Sequence, residues 1–262
     1  MSDQTNETQA AGNVPDIQTI TTQDIQESLR LGWQDFSRAP SFGFFFSAVY
    51  VFGGMAMVYI LAVTGKTWAV LPIVVGFPLI GPFAAVGLYE VSRRLLKGEP
   101  LVWGEILGVV FREKDRQMPS IAAIILIFFL FWNFLAHMIF ALFMGLSVMT
   151  NVSSSLDVYL TSNGLSMLAV GSVVGGVLAF LLFSITVICL PLLLDREIDF
   201  VTAMITSFNA VLQNFVPMMV WAAVIVVLLV IGMLPAFLGL LVILPLLGHA
   251  TWHLYQRVLR DD

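Results

Sequence analysis

The sequence predicts an all-α, polytopic membrane protein: six transmembrane helices forming three parallel-repeat hairpins, each hairpin preceded by a cytoplasmic interfacial amphipathic helix. Three observations carry that expectation. Of 262 residues, 59% are apolar and only 11% charged, and mean hydropathy is +0.94. A soluble domain holds about a quarter charged residues, so this chain has too few to coat a water-facing surface. Several charge-free stretches exceed the ~18 residues that mark a transmembrane helix, and a proline recurs late in the second helix of each hairpin. The composition excludes a soluble enzyme, a nucleic-acid binder and a secreted disulfide scaffold. The one cysteine, Cys189, permits neither an internal disulfide nor a thiolate metal cluster.

Residues 1–20 are polar and acidic, with no basic n-region and no early apolar run, so they read as a disordered cytoplasmic tail rather than a cleaved signal. Residues 21–262 read as a single membrane domain. Its apolar runs place spans near 42–61, 68–89, 121–146, 165–194, 215–234 and 237–255. About 20 residues cross the hydrocarbon core, so the third and fourth spans are long enough to tilt or protrude. The last two could pass for one helix, but residues 215–255 exceed a single crossing. Pro235 sits at their middle, beside Gly232 and Gly239, so two helices joined by a tight turn fit better.

Eleven of the twelve Lys and Arg residues fall on one side of this plan and only Lys66 on the other. The positive-inside rule then puts both termini in the cytoplasm and the loop 147–164 outside. The net charge of −5 is no objection, because acidic residues do not count in that rule. Asn151-Val152-Ser153 in the outer loop matches the glycosylation tripeptide, a pattern frequent by chance and without meaning in a bacterial chain.

The repeat rests on Phe77-Pro78-Leu79-Ile80-Gly81 in the second span, Leu190-Pro191-Leu192-Leu193-Leu194 at the end of the fourth and Leu244-Pro245-Leu246-Leu247-Gly248 in the sixth. An amphipathic stretch precedes each hairpin. In the first, Ile25, Leu29, Gly32-Trp33 and Phe36 recur at helical spacing. Thr21-Thr22-Gln23-Asp24 supplies a capping box, with Ile20 and Ile25 placed for a hydrophobic staple. The second is 101–111. The third begins after Asp199 and sets Phe200, Met204, Phe208, Val211 and Phe215 on one face. All three are expected to lie in the cytoplasmic interface with the apolar face down. The hairpins enter from one side, so the repeats are parallel rather than inverted.

Gly32-Trp33-Gln34-Asp35-Phe36, Pro40, Pro78-Leu79-Ile80-Gly81-Pro82-Phe83, Gly87-Leu88-Tyr89-Glu90-Val91-Ser92-Arg93-Arg94 and Gly98-Glu99-Pro100-Leu101 resemble the DUF2189 family of predicted bacterial integral membrane proteins. The resemblance is most specific over residues 77–101. The last hairpin departs from it, with His249 and Gln256 near where the first has Pro82 and Glu90. What the resemblance implies is a multi-pass protein of the bacterial inner membrane; it brings no activity and no catalytic residues.

Candidate sites are few, since no Asp, Glu, Lys or Arg falls inside the six spans and a proton-coupled pump or ion-coupled carrier usually needs a buried carboxylate. Asn133 and His137, spaced i, i+4, are the strongly polar pair deep in the membrane. They could line a cavity or ligate a haem or metal; hydrogen bonding to a neighbouring helix, worth about 0.6–2 kcal/mol, is the stronger reading. His249 and His253 share the i, i+4 spacing of a two-histidine metal site. Near the boundary with Trp252 and Tyr255, they also fit an interfacial aromatic belt. Arg93, Arg94 and Lys97 could contact anionic lipid or a partner, or simply anchor the cytoplasmic end. Gly171-Ser172-Val173-Val174-Gly175, Gly176 and Gly53-Gly54 are helix-packing signals.

No catalytic, cofactor-binding or metal-binding residues are assigned, and no nucleic-acid contact is expected. The expected partners are membrane lipids, another membrane protein complex or a second copy of the chain. The expected role is non-enzymatic: an accessory or structural factor for a membrane complex. The alternative is a channel or carrier for a small neutral or apolar solute. A metal- or haem-linked enzyme would rest on three histidines alone.

Overall fold

A computed structural model describes residues 16–65, 71–113, 116–145 and 159–259, with backbone only over 71–79. Lys66, the tripeptide at Asn151 and residues 1–15 of the expected tail lie outside the described residues. Ten helices follow in order: α1 (Thr22–Arg38), α2 (Pro40–Thr64), α3 (Leu71–Lys97), α4 (Trp103–Glu113), α5 (Met118–Met144), α6 (Ser162–Thr186), α7 (Cys189–Asp195), α8 (Phe200–Gln213), α9 (Phe215–Met233) and α10 (Leu240–Val258). Among the described residues, four stretches are long and apolar enough to cross a membrane: Pro40–Thr64, Met118–Met144, Ser162–Asp195 and Phe215–Met233. The chain is an all-helical polytopic membrane protein.

Local chemistry sets several boundaries. At the start of α1, Thr21 donates from both its N–H and its Oγ1 to Asp24 Oδ2 at 2.8 Å, the expected cap, and Ile20 and Ile25 are both buried. Pro191 breaks the helix between α6 and α7, because it cannot donate to the carbonyl of Val187. Ser207 of α8 repairs the break by accepting from Ile188 N–H at 3.1 Å and donating to the Ser184 carbonyl at 2.7 Å. Pro245 likewise leaves the Leu241 carbonyl of α10 without its helical donor, and Ser47 Oγ of α2 lies 3.4 Å from it. The turn expected at Pro235 separates α9 from α10, with Ala236 and Phe237 at φ 50° and 67°.

Where the sequence suggests one membrane domain, contacts divide the chain into two compact units, Met1–Ala122 with Ser184–Asp262, and Ala123–Phe183. In the first, α10 is the central helix, packed by α1, α2, α3 and α9. A core of Phe42, Phe46, Leu88, Val91 and Ile106 joins α2, α3 and α4, and Phe42 stacks on Trp103 at 3.9 Å. The second unit holds the greater part of α5 and α6. These helices approach each other where Gly175 faces the Trp132 ring, and Leu130, Phe134, Leu142, Val173 and Val177 stay exposed.

Two expectations change in detail, and α8 shows which of its faces meets protein. Residues 16–20, grouped with the tail, run extended against the end of α10: Gln18 N–H donates to the Val258 carbonyl at 2.8 Å, and Ile17 bridges Leu259. Ile20 N–H donates to Asn214 Oδ1 at 2.8 Å. The apolar stripe of α1 is buried against α10 rather than turned to lipid; its buried positions are Ile25, Ser28, Gly32, Asp35 and Phe36. The protein-facing stripe of α8 is Ala203, Thr206, Ser207, Ala210 and Val211, not the phenylalanines. Phe215, placed on the same face by its spacing, is half exposed. Small side chains let α8 approach its neighbours closely, and the large ones are left outside.

Candidate functional site

The buried polar groups of the first unit gather around α10. His249 and His253 lie on one face of that helix, and each reaches a different neighbour. His249 Nδ1 hydrogen-bonds Ser92 Oγ of α3 at 2.8 Å. His253 Nε2 hydrogen-bonds Asp35 Oδ2 of α1 at 2.7 Å. Both imidazoles are buried, so the pair does not sit in an open headgroup belt. Nor do the two rings converge on one point. Among the described residues no group of three or more His, Cys, Asp or Glu side chains is arranged to hold a metal ion.

Two residues before Ser92 sits Glu90, fully buried, accepting from Arg93 Nε and Nη2 at 2.7 and 2.8 Å and from Arg94 Nε at 2.7 Å. Burial pushes its carboxyl upward, but the two guanidiniums outweigh burial and hold it below the usual carboxylate range. Arg94 also bonds the Pro100 carbonyl at 3.0 Å and pairs with Glu105, which ties the end of α3 to α4. The expected lipid-facing trio therefore divides. Arg94 is buried in an internal network, Arg93 is drawn back onto Glu90, and Lys97 is exposed.

At the far end of α10, Arg257 Nη1 donates to Asp24 Oδ1 at 2.7 Å. Hydrogen bonds from the Thr21 backbone lower the Asp24 carboxyl below its ordinary value; burial opposes them, and Thr21 Oγ1 and Arg257 add to the lowering. Tyr255 donates to Asp195 Oδ2 at 2.8 Å, fixing α10 to α7. Between these groups lies a polar cavity of about 520 Å³, lined by Gln18, Asp24, Leu31, His253, Gln256 and Arg257 among others.

Asn133 and His137 are placed otherwise. His137 Nδ1 bonds the Asn133 backbone carbonyl of its own helix at 2.7 Å, and its ring is exposed. A groove of about 530 Å³ opens between α5 and α6, lined by Trp132, Ala136, Gly171, Gly175 and Gly176 among others. Neither member of the polar pair lines it.

Sequence reasoning passes over Asp35 as an ionisable group, although it belongs to the Gly32–Phe36 run. The signal was available: Asp35 stands one turn after Gly32 and beside Phe36 on the apolar stripe, where a carboxylate needs a buried partner. The sequence marks Asp24 only as a cap and Gln256 only as a departure from the family pattern.

Apolar helices able to cross a membrane define an integral membrane protein. Residues 70–195 match the family described as predicted integral membrane protein (DUF2189), the family that residues 77–101 resemble. No curated protein and no solved structure matches the chain.

Proposed function

We propose that the chain is a non-enzymatic accessory factor of the bacterial inner membrane, binding another membrane protein complex through the α5–α6 hairpin. The carrying observation is the glycine stripe of α6. A Cβ at Gly171 or Gly176 would meet nothing within 4 Å, so packing among the described residues makes no use of their smallness. Glycine inside a helix is unfavourable by about 0.5–1 kcal/mol relative to alanine. In lipid, small residues serve close approach of a second helix, because lipid tails are as apolar as leucine and offer no other drive to associate. The groove beside this stripe is the surface such a helix would fill.

The finer topology belongs to the same proposal. α3 and α10 complete six spans, arranged as three parallel hairpins, each entered from a cytoplasmic amphipathic helix. Both helices carry an apolar run that passes into charged or polar residues: Glu90, Arg93 and Arg94 in α3, and Gln256 and Arg257 in α10. Basic residues on one side place both termini in the cytoplasm.

Gentle extraction into nanodiscs at native expression, followed by native mass spectrometry, tests the role. Stoichiometric recovery of one membrane complex, lost in Gly171→Leu or Gly176→Leu while the chain stays folded, is the expected result. A monomer or homo-oligomer with no other chain attached overturns it and moves the reading to a carrier of a neutral or apolar solute.

A further inference from the structure

We propose that the cavity between the start of α1 and the ends of α3 and α10 binds an uncharged group with vicinal hydroxyls, either a free polyol or the glycerol headgroup of a phospholipid. The inference goes beyond the accessory role and does not depend on it.

The cavity's charges are already matched. Arg257 is paired with Asp24 at 2.7 Å, and His253 is held by Asp35 at 2.7 Å from behind. An ionic ligand would have to break the first pair. What stays open is polar and neutral. The carboxamides of Gln18 and Gln256 and the hydroxyl of Thr19 take no side-chain hydrogen bond among the described residues. The Nδ1 of His253 has no partner among them either, although the ring is more than nine-tenths buried.

A carboxamide offers a donor and an acceptor side by side, and each hydroxyl of a vicinal pair is also both donor and acceptor. An imidazole whose Nε2–H is given to a carboxylate presents Nδ1 as an acceptor for one more hydroxyl. Leu31 and Leu96 supply an apolar wall for the C–H face of such a ligand. A volume of about 520 Å³ suits a small ligand.

The test uses the full chain in phosphatidylcholine nanodiscs, titrated with myo-inositol and sorbitol. A second preparation contains equal phosphatidylglycerol and phosphatidic acid, read by native mass spectrometry for retained lipid. Saturable binding of a free polyol supports the proposal with a soluble ligand. Retention of phosphatidylglycerol over phosphatidic acid, which lacks the headgroup hydroxyls, supports it with the lipid as source. In either case Gln256→Leu weakens binding at least tenfold and Gln256→Asn less, while Gln26→Leu on the exposed face of α1 changes nothing. Thermal melts show which variants are folded; should Gln256→Leu fail to fold, Gln18→Leu replaces it. Non-saturating osmolyte stabilisation, equal retention of the two lipids, tighter binding of inorganic phosphate than of polyol, or indifference to Gln256→Leu and Gln18→Leu each overturns the proposal.

Discussion

Gly32 of α1 lies directly against the backbone of Ala250 of α10: a Cβ at position 32 would stand 2.6 Å from the Ala250 nitrogen. That approach allows Asp35, one turn on, to reach His253, one turn on along the other helix. The closeness of the two backbones and the buried polar contact are one arrangement.

Gly32→Ala is expected to destabilise the protein by about 1–3 kcal/mol, because the obstruction is backbone and cannot turn aside. Gly108→Ala in α4, where a Cβ meets nothing within 4 Å, should be neutral or slightly stabilising. Thermal unfolding in detergent, read by tryptophan fluorescence, compares the two.

Gly87 of α3 faces the ring of Phe46, so Gly87→Ala collides with a side chain rather than with backbone. Shortening the ring should make room. Gly87→Ala and Phe46→Leu are each expected to lower the unfolding temperature, with the double variant closer to wild type than their sum. A double-mutant cycle measures the coupling.

Glu90→Gln removes the carboxylate that neutralises Arg93 and Arg94 inside the bundle. Breaking one side of a buried pair costs about 3 kcal/mol. Glu27→Gln, which opens the exposed pair with Arg30, should have no measurable effect. Chemical denaturation of the two variants side by side separates a buried network from a surface pair.

Acid should weaken the first unit through Asp24 and Glu90. Both carboxyls are held below their ordinary values of 3.8 and 4.5 in the folded protein. A lowered carboxyl contributes stability that is present above the ordinary value and lost as pH falls through the folded one. Unfolding temperature is therefore expected to hold near neutrality and fall below about pH 4.5. Asp24→Asn should be less stable at neutral pH and show a shallower decline in acid.

A reporter fused at residue 151 should report an external site, and one fused after Leu259 a cytoplasmic one, as the basic residues demand. Alkaline phosphatase activity at the first and green fluorescence at the second check the orientation. The reverse pattern would sink it.

The helices were legible because their signals are local. The Thr21–Asp24 cap, the break at Pro235 and the apolar runs all act within a few residues. The faces were harder to read. In α8 the spacing of Phe200, Met204 and Phe208 marks an apolar face, but it gives no sign that the helix packs on protein through Ala203, Ser207 and Ala210, which are buried. In a membrane, size and hydrophobicity do not separate protein from lipid, since lipid solvates phenylalanine as well as a core does. The i, i+4 spacing of His249 and His253 admits a shared ion or an interfacial belt. α10 instead passes between α1 and α3, so the two rings are claimed by Asp35 and Ser92 on separate helices. Such pairings depend on tertiary neighbours far away in the chain, which periodicity does not encode.

The contact between Asp35 and His253 spans 218 positions. It imposes an order on biogenesis. α1 leaves the ribosome with its buried carboxylate and its glycine uncovered, and waits while every intervening helix is made. Only the delivery of α10 supplies His253 and the Ala250 backbone, and with them the extended segment from Ile17 finds Leu259. The first unit is therefore locked after synthesis rather than built up helix by helix.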